Sequence, residues 1–354
     1  MSTDGTDGTG DIASGGALLD GMRVLDAGMW RPVPHATQLL ADLGATVLKI
    51  ERPGGDPMRG FPEIFADVAA GKRSVVIDLK TDAGRAHALA LSRDAHVFTE
   101  GWRPGVADRL GLGYHDVRSG NPSIIYGSLS GYGQTGPRRD VPGHDLNYQA
   151  LAGAVATRSA GDIPRIPILP VADLAGATML ALVICAAWAR RLHTGEGEYI
   201  DVSMTDVVAS WRGGRSGTQV AGRDEPLRGT AGYGVFRCRD GRWLSLAVIA
   251  EDHLWAAVCD GLRLPSLRDI AYAQRLDQVE ALNAAIAGAV AATDRDDAIA
   301  SLQRAGAPVA AVLDAEEAIG TDGFPAVLAA HAVRARGVAP GVDEHQSSPW
   351  PDAN

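Results

Sequence analysis

Between Leu18 and about Val208, short β-branched runs alternate with alanine- and leucine-rich stretches of helical length, and this rhythm leaves the chain few folds to choose from. Residues 23–27 (Arg-Val-Leu-Asp-Ala) read as a strand, followed by a turn and a helix over 34–43 that Gly44 stops. Residues 46–50, 74–79, 95–99 and 123–129 make four more strands, with a helix over 82–92 ahead of the fourth of the five. Strands separated by helices of this length form βαβ units, because a parallel return needs a long crossover. The expectation is a large doubly wound, Rossmann-like α/β domain.

The rhythm breaks at 212–225, where Gly213, Gly214, Gly217 and Gly222 stand among charges, as in a linker or mobile loop. Residues 233–238 and 243–249 then flank Arg239-Asp240-Gly241-Arg242, an Asp-Gly turn suited to a tight hairpin. Helical patterns over 252–261 and 279–305 and a short strand over 308–313 complete a smaller α+β domain. The expected boundaries are a disordered tail at 1–16, a large domain at 17–211, the linker, a small domain at 226–324, and 325–354 returning to complete the large one. Periodicity places no element in the last thirty or so residues.

The 354 residues carry 33 basic and 43 acidic side chains, a net charge of −10 that disfavours nucleic acid and anionic membranes as partners. Cys185, Cys238 and Cys259 are odd in number, far apart and without metal-ligand spacing, as expected of reduced thiols in a cytoplasmic protein. The longest apolar run, 175–189, falls short of the roughly 18 residues of a membrane span and is followed by Arg190-Arg191, so it reads as a buried helix. Gly54-Gly55 and Gly131-Tyr132-Gly133 lack the spacing of a dinucleotide or P-loop fingerprint, which disfavours NAD and ATP.

Chemistry concentrates in Gly143-His144-Asp145-Leu146-Asn147-Tyr148 and in Pro170-Val171-Ala172-Asp173-Leu174-Ala175-Gly176. Each puts a titratable group at the start of a helical pattern. Two such groups on opposite sides of a carbon next to a carbonyl can remove and replace its proton. Taken alone, His144 also reads as a buried histidine or helix cap, Asp173 as the N-cap of the helix it opens, and Asp145 as a cap or supporting group.

Several motifs in order resemble the family III CoA-transferases, the CaiB/BaiF group. They are Ala27-Gly28 with Pro34-His35-Ala36 and Leu40-Ala41-Asp42-Leu43-Gly44-Ala45, Lys49-Ile50-Glu51-Arg52-Pro53-Gly54, Asp78-Leu79-Lys80, Glu100-Gly101-Trp102-Arg103-Pro104-Gly105-Val106, Gly131-Tyr132-Gly133-Gln134-Thr135-Gly136-Pro137 and Thr194-Gly195-Glu196-Gly197. The segment 143–148, and Ile249-Ala250-Glu251-Asp252-His253-Leu254-Trp255, look most like the 2-methylacyl-CoA racemase branch. Two features depart from that branch: Asp252 stands where proline is usual, and the loop at Asp173 is poorer in glycine.

The resemblance implies a CoA-binding wall made by Arg52, Asp78, Leu79, Lys80, Gly101, Arg103 and Val106, with Tyr148 beside it. It implies His144 and Asp173 as the two bases, with burial raising the Asp173 pKa and Glu251 orienting the histidine. Backbone N–H groups at the start of the Asp173 helix are the expected donors to the enolate oxygen. The alternative within the family is CoA transfer, in which Asp173 attacks a donor thioester to give an anhydride and then an enzyme thioester. The resemblance also implies an acyl-CoA thioester substrate, no metal, no cofactor beyond the CoA moiety of the substrate, and an interlocked homodimer.

Overall fold

Six parallel strands form one sheet: β1 (Arg23–Asp26), β2 (Thr46–Glu51), β3 (Arg73–Val76), β4 (Val97–Glu100), β5 (Ile125–Ser130) and β6 (Glu198–Ser203), in the order β3-β2-β1-β4-β5-β6. The computed structural model describes residues 17–155, 163–211, 230–314, 316–317 and 337–351. The chain divides into two compact units, Met1–Gly217 with Pro325–Asn354, and Thr218–Phe324. In the first, β1 pairs with β2 on one side and β4 on the other, Leu25 lying opposite both Leu48 and Phe98. Val24, Val97, Ile125 and Ile200 fill one face of the sheet, and Leu25, Leu48, Phe98 and Tyr126 the other. Burial on both faces is why these strands read as continuous apolar runs.

The chain winds outward from β1 to β3 and then jumps back to β4 beside β1. Loops leaving the two strands therefore run apart, and a crevice opens at their carboxyl ends, the switch point where open α/β sheets bind ligands. Buried charges fix the exit from β1. Asp26 accepts from the Gly28 N–H at 2.8 Å and from Thr37 Oγ1 at 2.7 Å, and pairs with Lys72 at 3.2 Å. Burial pushes the Asp26 carboxyl up, but Lys72, Lys49 and the hydrogen bonds from Thr37 and Gly28 together outweigh it and hold it below the usual carboxylate range. Lys49 donates to the Gly28 carbonyl at 2.6 Å and pairs with Asp56 at 2.7 Å. The Asp56 Oδ1 accepts the Trp30 N–H at 3.4 Å, which helps hold Trp30 at a left-handed φ of +62°. A bulky residue in that region is strained unless its surroundings impose it.

The helix Val171–Thr194 runs past the apolar stretch expected from the sequence. Its 24 residues and a mean hydropathy of 1.9 would suffice by length and composition for a membrane span. Here Ala172, Ala175, Leu180 and Ile184 pack into the core of the first unit. Strand β6 was not anticipated, because only Ile200 and Val202 of its six residues face inward.

The second unit is an antiparallel sheet, β7 (Tyr233–Arg237), β8 (Trp243–Ala247) and β9 (Val309–Val312), in that order. Gly241, at φ +81°, makes the expected turn. The single helix expected over 279–305 is instead two, Val279–Ala291 and Arg295–Arg304. Asp294 turns extended (φ −71°, ψ 151°), and the hairpin turn supplies the partners: Arg239 N–H donates to the Thr293 carbonyl at 3.0 Å, and Asp240 accepts the Arg295 N–H at 3.1 Å. A tertiary contact thus breaks a run whose local pattern is helical throughout.

The expected tail at 1–16 and linker at 212–225 lie outside the described residues. Within 337–351, Asp343 accepts the Val76 N–H at 2.7 Å and the His345 N–H donates to the Ser74 carbonyl at 2.9 Å. The segment thereby covers the open edge of β3.

Candidate active site

The switch-point crevice leads into a cavity of about 270 Å³. Trp30 and Val33 wall it after β1, Gly101 and Arg103 after β4, and Gly131 and Tyr132 after β5; His144, Tyr148 and Asp173 also line it. The sequence-derived pair His144 and Asp173 thus meets in one cavity, although 28 residues separate them along the chain.

His144 is the exposed N-cap of the helix Asp145–Leu151, yet its imidazole makes no cap bond. Asn147 Oδ1 accepts the His144 backbone N–H at 3.0 Å, satisfying the helix start from the side chain three residues on. The ring is left available to the cavity.

Asp145 caps a different helix from its own. Its Oδ1 accepts the backbone N–H groups of Ala172 at 2.8 Å and Asp173 at 3.1 Å, and its Oδ2 accepts Gln149 Nε2 at 2.5 Å. This joins the two helix starts and satisfies N–H groups that Pro170, the N-cap residue, cannot. It also corrects one expectation. The Val171 N–H donates to the Leu169 carbonyl at 2.9 Å and the Leu174 N–H to the Pro170 carbonyl at 3.0 Å, so all four N–H groups of the first turn are engaged. They are not open donors for an enolate oxygen. Nor is Asp173 the cap of its helix; that task falls to Asp145, whose target 27 residues away no local pattern reveals.

Burial, and then the charge of Asp145, push the Asp173 carboxyl up to about 7, with Arg31 acting in the opposite sense. A carboxyl so placed exists in both protonation states at neutral pH, as a group that alternates between acid and base requires. Tyr148 is 8% exposed, donates its hydroxyl to the Gly143 carbonyl at 2.5 Å and packs edge-on against Tyr132. A Cβ at Gly131 would lie 2.3 Å from Tyr148 Cε1, so the glycine is what lets the ring seat there. Burial and then Tyr132 push the phenol up to about 12, and the hydroxyl stays neutral. Tyr148 therefore lines the cavity with its hydroxyl proton already donated to Gly143.

Of the other expected wall residues, Gly101 and Arg103 line the cavity, whereas Arg52, Asp78, Leu79, Lys80 and Val106 do not. Arg52 follows β2 and is exposed, its Nε donating to the Gly55 carbonyl at 3.2 Å. Asp78 follows β3 and accepts the Lys80 N–H at 3.0 Å, closing a turn. Parallel strands deliver all these loops to one edge of the sheet. Lys80, Arg52 and Arg103 therefore follow β3, β2 and β4 along a ledge spanning three strand spacings, roughly 14 Å. Val106 opens the short helix Val106–Arg109, its N–H donating to the Arg103 carbonyl at 3.0 Å. Two further arginines belong to the site: Arg139 also lines the cavity, and the charge of Arg31 acts on Asp173. Their only signal was proximity to motifs already noted.

Glu251 belongs to the second unit. It is the exposed N-cap of the helix Asp252–Gly261, and its Oε2 accepts the Ile249 N–H at 3.1 Å. Backbone N–H groups hold its carboxyl below the ordinary value. Among the described residues, no group of three or more His, Cys, Asp or Glu is placed to hold a metal ion.

The strand ends thus carry Lys80, Arg52 and Arg103 in a row that leads to the Asp173 carboxyl and the His144 imidazole in the switch-point cavity. The chain belongs to the CoA-transferase family III, whose sequence model matches residues 19–340. It is 34% identical over 322 residues to the acetyl-CoA:oxalate CoA-transferase of Acetobacter aceti, covering 84% of this chain and 82% of that protein. It is also 34% identical over 259 residues to the alpha-methylacyl-CoA racemase of Homo sapiens, covering 70% of this chain and 65% of that protein. Among solved structures, Rv3272 of Mycobacterium tuberculosis superposes with a TM-score of 0.82 at 28% identity, covering 94% of this chain and 98% of that one. The fold is that of CaiB/BaiF proteins, as the sequence motifs implied.

Proposed function

We propose that this protein inverts the α-carbon of a 2-methylacyl-CoA thioester by two-base proton transfer between His144 and Asp173. The observation that carries the proposal is the presence of both groups in one cavity, with the carboxyl held near neutrality. One base removes the proton next to the thioester carbonyl, and the other, as an acid, returns a proton to the opposite face. The thioester itself acidifies the carbon, so the reaction calls for no cofactor beyond the CoA moiety of the substrate. Arg103 and Arg139 in the cavity, with Arg52 and Lys80 along the ledge, suit the phosphates of CoA. The working form is a homodimer, in which Glu251 serves to orient the histidine.

The Acetobacter relative favours a second reading, CoA transfer. There the ionised Asp173 would attack the thioester carbonyl, expelling CoA thiolate and leaving a mixed anhydride. One experiment separates the two. A single epimer of 2-methylacyl-CoA, incubated with the enzyme and no free carboxylic acid, is expected to become a mixture of epimers. Transfer of CoA to an added acid, with the configuration untouched in its absence, is the result that would establish the second reading.

A further inference from the structure

Behind the cavity wall, the loops after β4 and β5 are tied together by polar side chains to which the proposed reaction gives no task. Glu100, the last residue of β4, is 3% exposed, and its Oε2 accepts the Trp102 backbone N–H at 2.8 Å. Its carboxyl also accepts a hydrogen bond from the fully buried Ser128 on β5. The Ser128 hydroxyl in turn accepts Gln134 Nε2 at 2.7 Å, and the Gln134 backbone N–H donates to the Asp201 carboxylate at 3.0 and 3.2 Å. The chain Trp102–Glu100–Ser128–Gln134 therefore spans both loops, whose other faces (Gly101 to Pro104, and Gly131, Tyr132 and Arg139) line the switch-point cavity. On its own side Glu100 faces a separate cavity of about 430 Å³, and Arg103 lines both.

A carboxyl is a costly group to place here. Burial, with the like charges of Asp201 and Asp108, pushes it up to about 7, and its hydrogen bonds offset only part of this. An apolar residue would avoid the cost, so a carboxyl at this position is better explained by what it holds than by stability.

We propose that Glu100 is a positioning residue for the CoA moiety, setting through the Trp102 N–H and the Ser128–Gln134 chain the separation of the two loops that wall the cavity. This rests on reading that cavity as the acyl-CoA site. The test is calorimetric titration of free CoA into the wild-type chain and into Glu100→Ala, Glu100→Gln, Gln134→Ala and the double variant Glu100→Ala/Gln134→Ala. Glu100→Ala and Gln134→Ala are each expected to weaken CoA binding about tenfold, as displacement of a binding wall does. The double variant should be little worse than Glu100→Ala, because both changes cut one chain. Glu100→Gln, which keeps an acceptor for the Trp102 N–H, should recover most of the affinity. Epimer inversion should show the change in KM, with kcat within about twofold. Should Glu100→Ala fail to fold, the half-buried Gln134→Ala carries the test. Unchanged CoA affinity in the folded variants would overturn the role of Glu100 alone. A wild-type chain that binds no CoA would overturn the reading of the cavity, and this role with it.

Discussion

His144→Ala and Asp173→Asn are each expected to slow the interconversion of 2-methylacyl-CoA epimers by roughly a thousandfold, within the range that a positioned acid or base contributes. The more telling effect is on isotope exchange. Each base serves one face of the α-carbon, so removing one stops inversion but leaves the other able to exchange the proton of its own epimer. In D2O, one variant should place deuterium in the (R) thioester without inverting it, and the other should do so in the (S) thioester. Mass spectrometry of the separated epimers reads this directly. If Asp173 were a nucleophile, Asp173→Asn would abolish CoA transfer while His144→Ala left it largely intact. Loss of activity alone would not discriminate, because Asp173 serves both reactions; the asymmetry between the variants does.

Asp173→Asn should also stabilise the protein, and more so above neutrality. The Asp173 carboxyl is raised from 3.8 to about 7 in the folded chain, chiefly by burial and next by Asp145. Below 3.8 the group is neutral in both folded and unfolded states, and it costs nothing. Between 3.8 and 7 the unfolded chain gives up the proton while the folded chain keeps it, so stability falls as pH rises; above 7 the loss is complete. At 1.36 kcal/mol per pKa unit the upper bound is about 4 kcal/mol, and partial exposure of the carboxyl reduces it to roughly 1–3 kcal/mol. An asparagine carries no such cost. Thermal melts at pH 4 and pH 8 should show little difference between wild type and variant at the first and a gain of several degrees for the variant at the second. An equal shift at both values would assign the effect to packing instead. An active-site group that destabilises its own fold is the expected trade between stability and activity.

The parallel sheet was legible because its strands are buried on both faces, which leaves apolar runs separated by helices of crossover length. β6 was not, since Tyr199 and Asp201 face outward and dilute the pattern. The break between Val279–Ala291 and Arg295–Arg304 was hidden for a different reason: Arg239 and Asp240, more than fifty residues earlier, satisfy the backbone groups that the break exposes. Motif and spacing brought forward His144 and Asp173, which the fold places in one cavity. They could not show that Asp145 occupies the N–H groups once assigned to the enolate, since that contact joins two helix starts through the fold. For the same reason, Arg52 and Lys80 were legible as cations but not as residues standing apart from the cavity along the sheet edge. Motifs report which residues a site uses; which atoms remain open to a ligand is settled by the packing around them.

Epimer inversion in D2O, without any carboxylic acid acceptor, addresses the assignment most directly. Starting from a single epimer of 2-methylacyl-CoA, the wild-type protein should yield both epimers, with one deuterium at the α-carbon of every inverted molecule. Recovery of the starting epimer free of deuterium, with CoA moving only when an acid is supplied, would contradict the assignment.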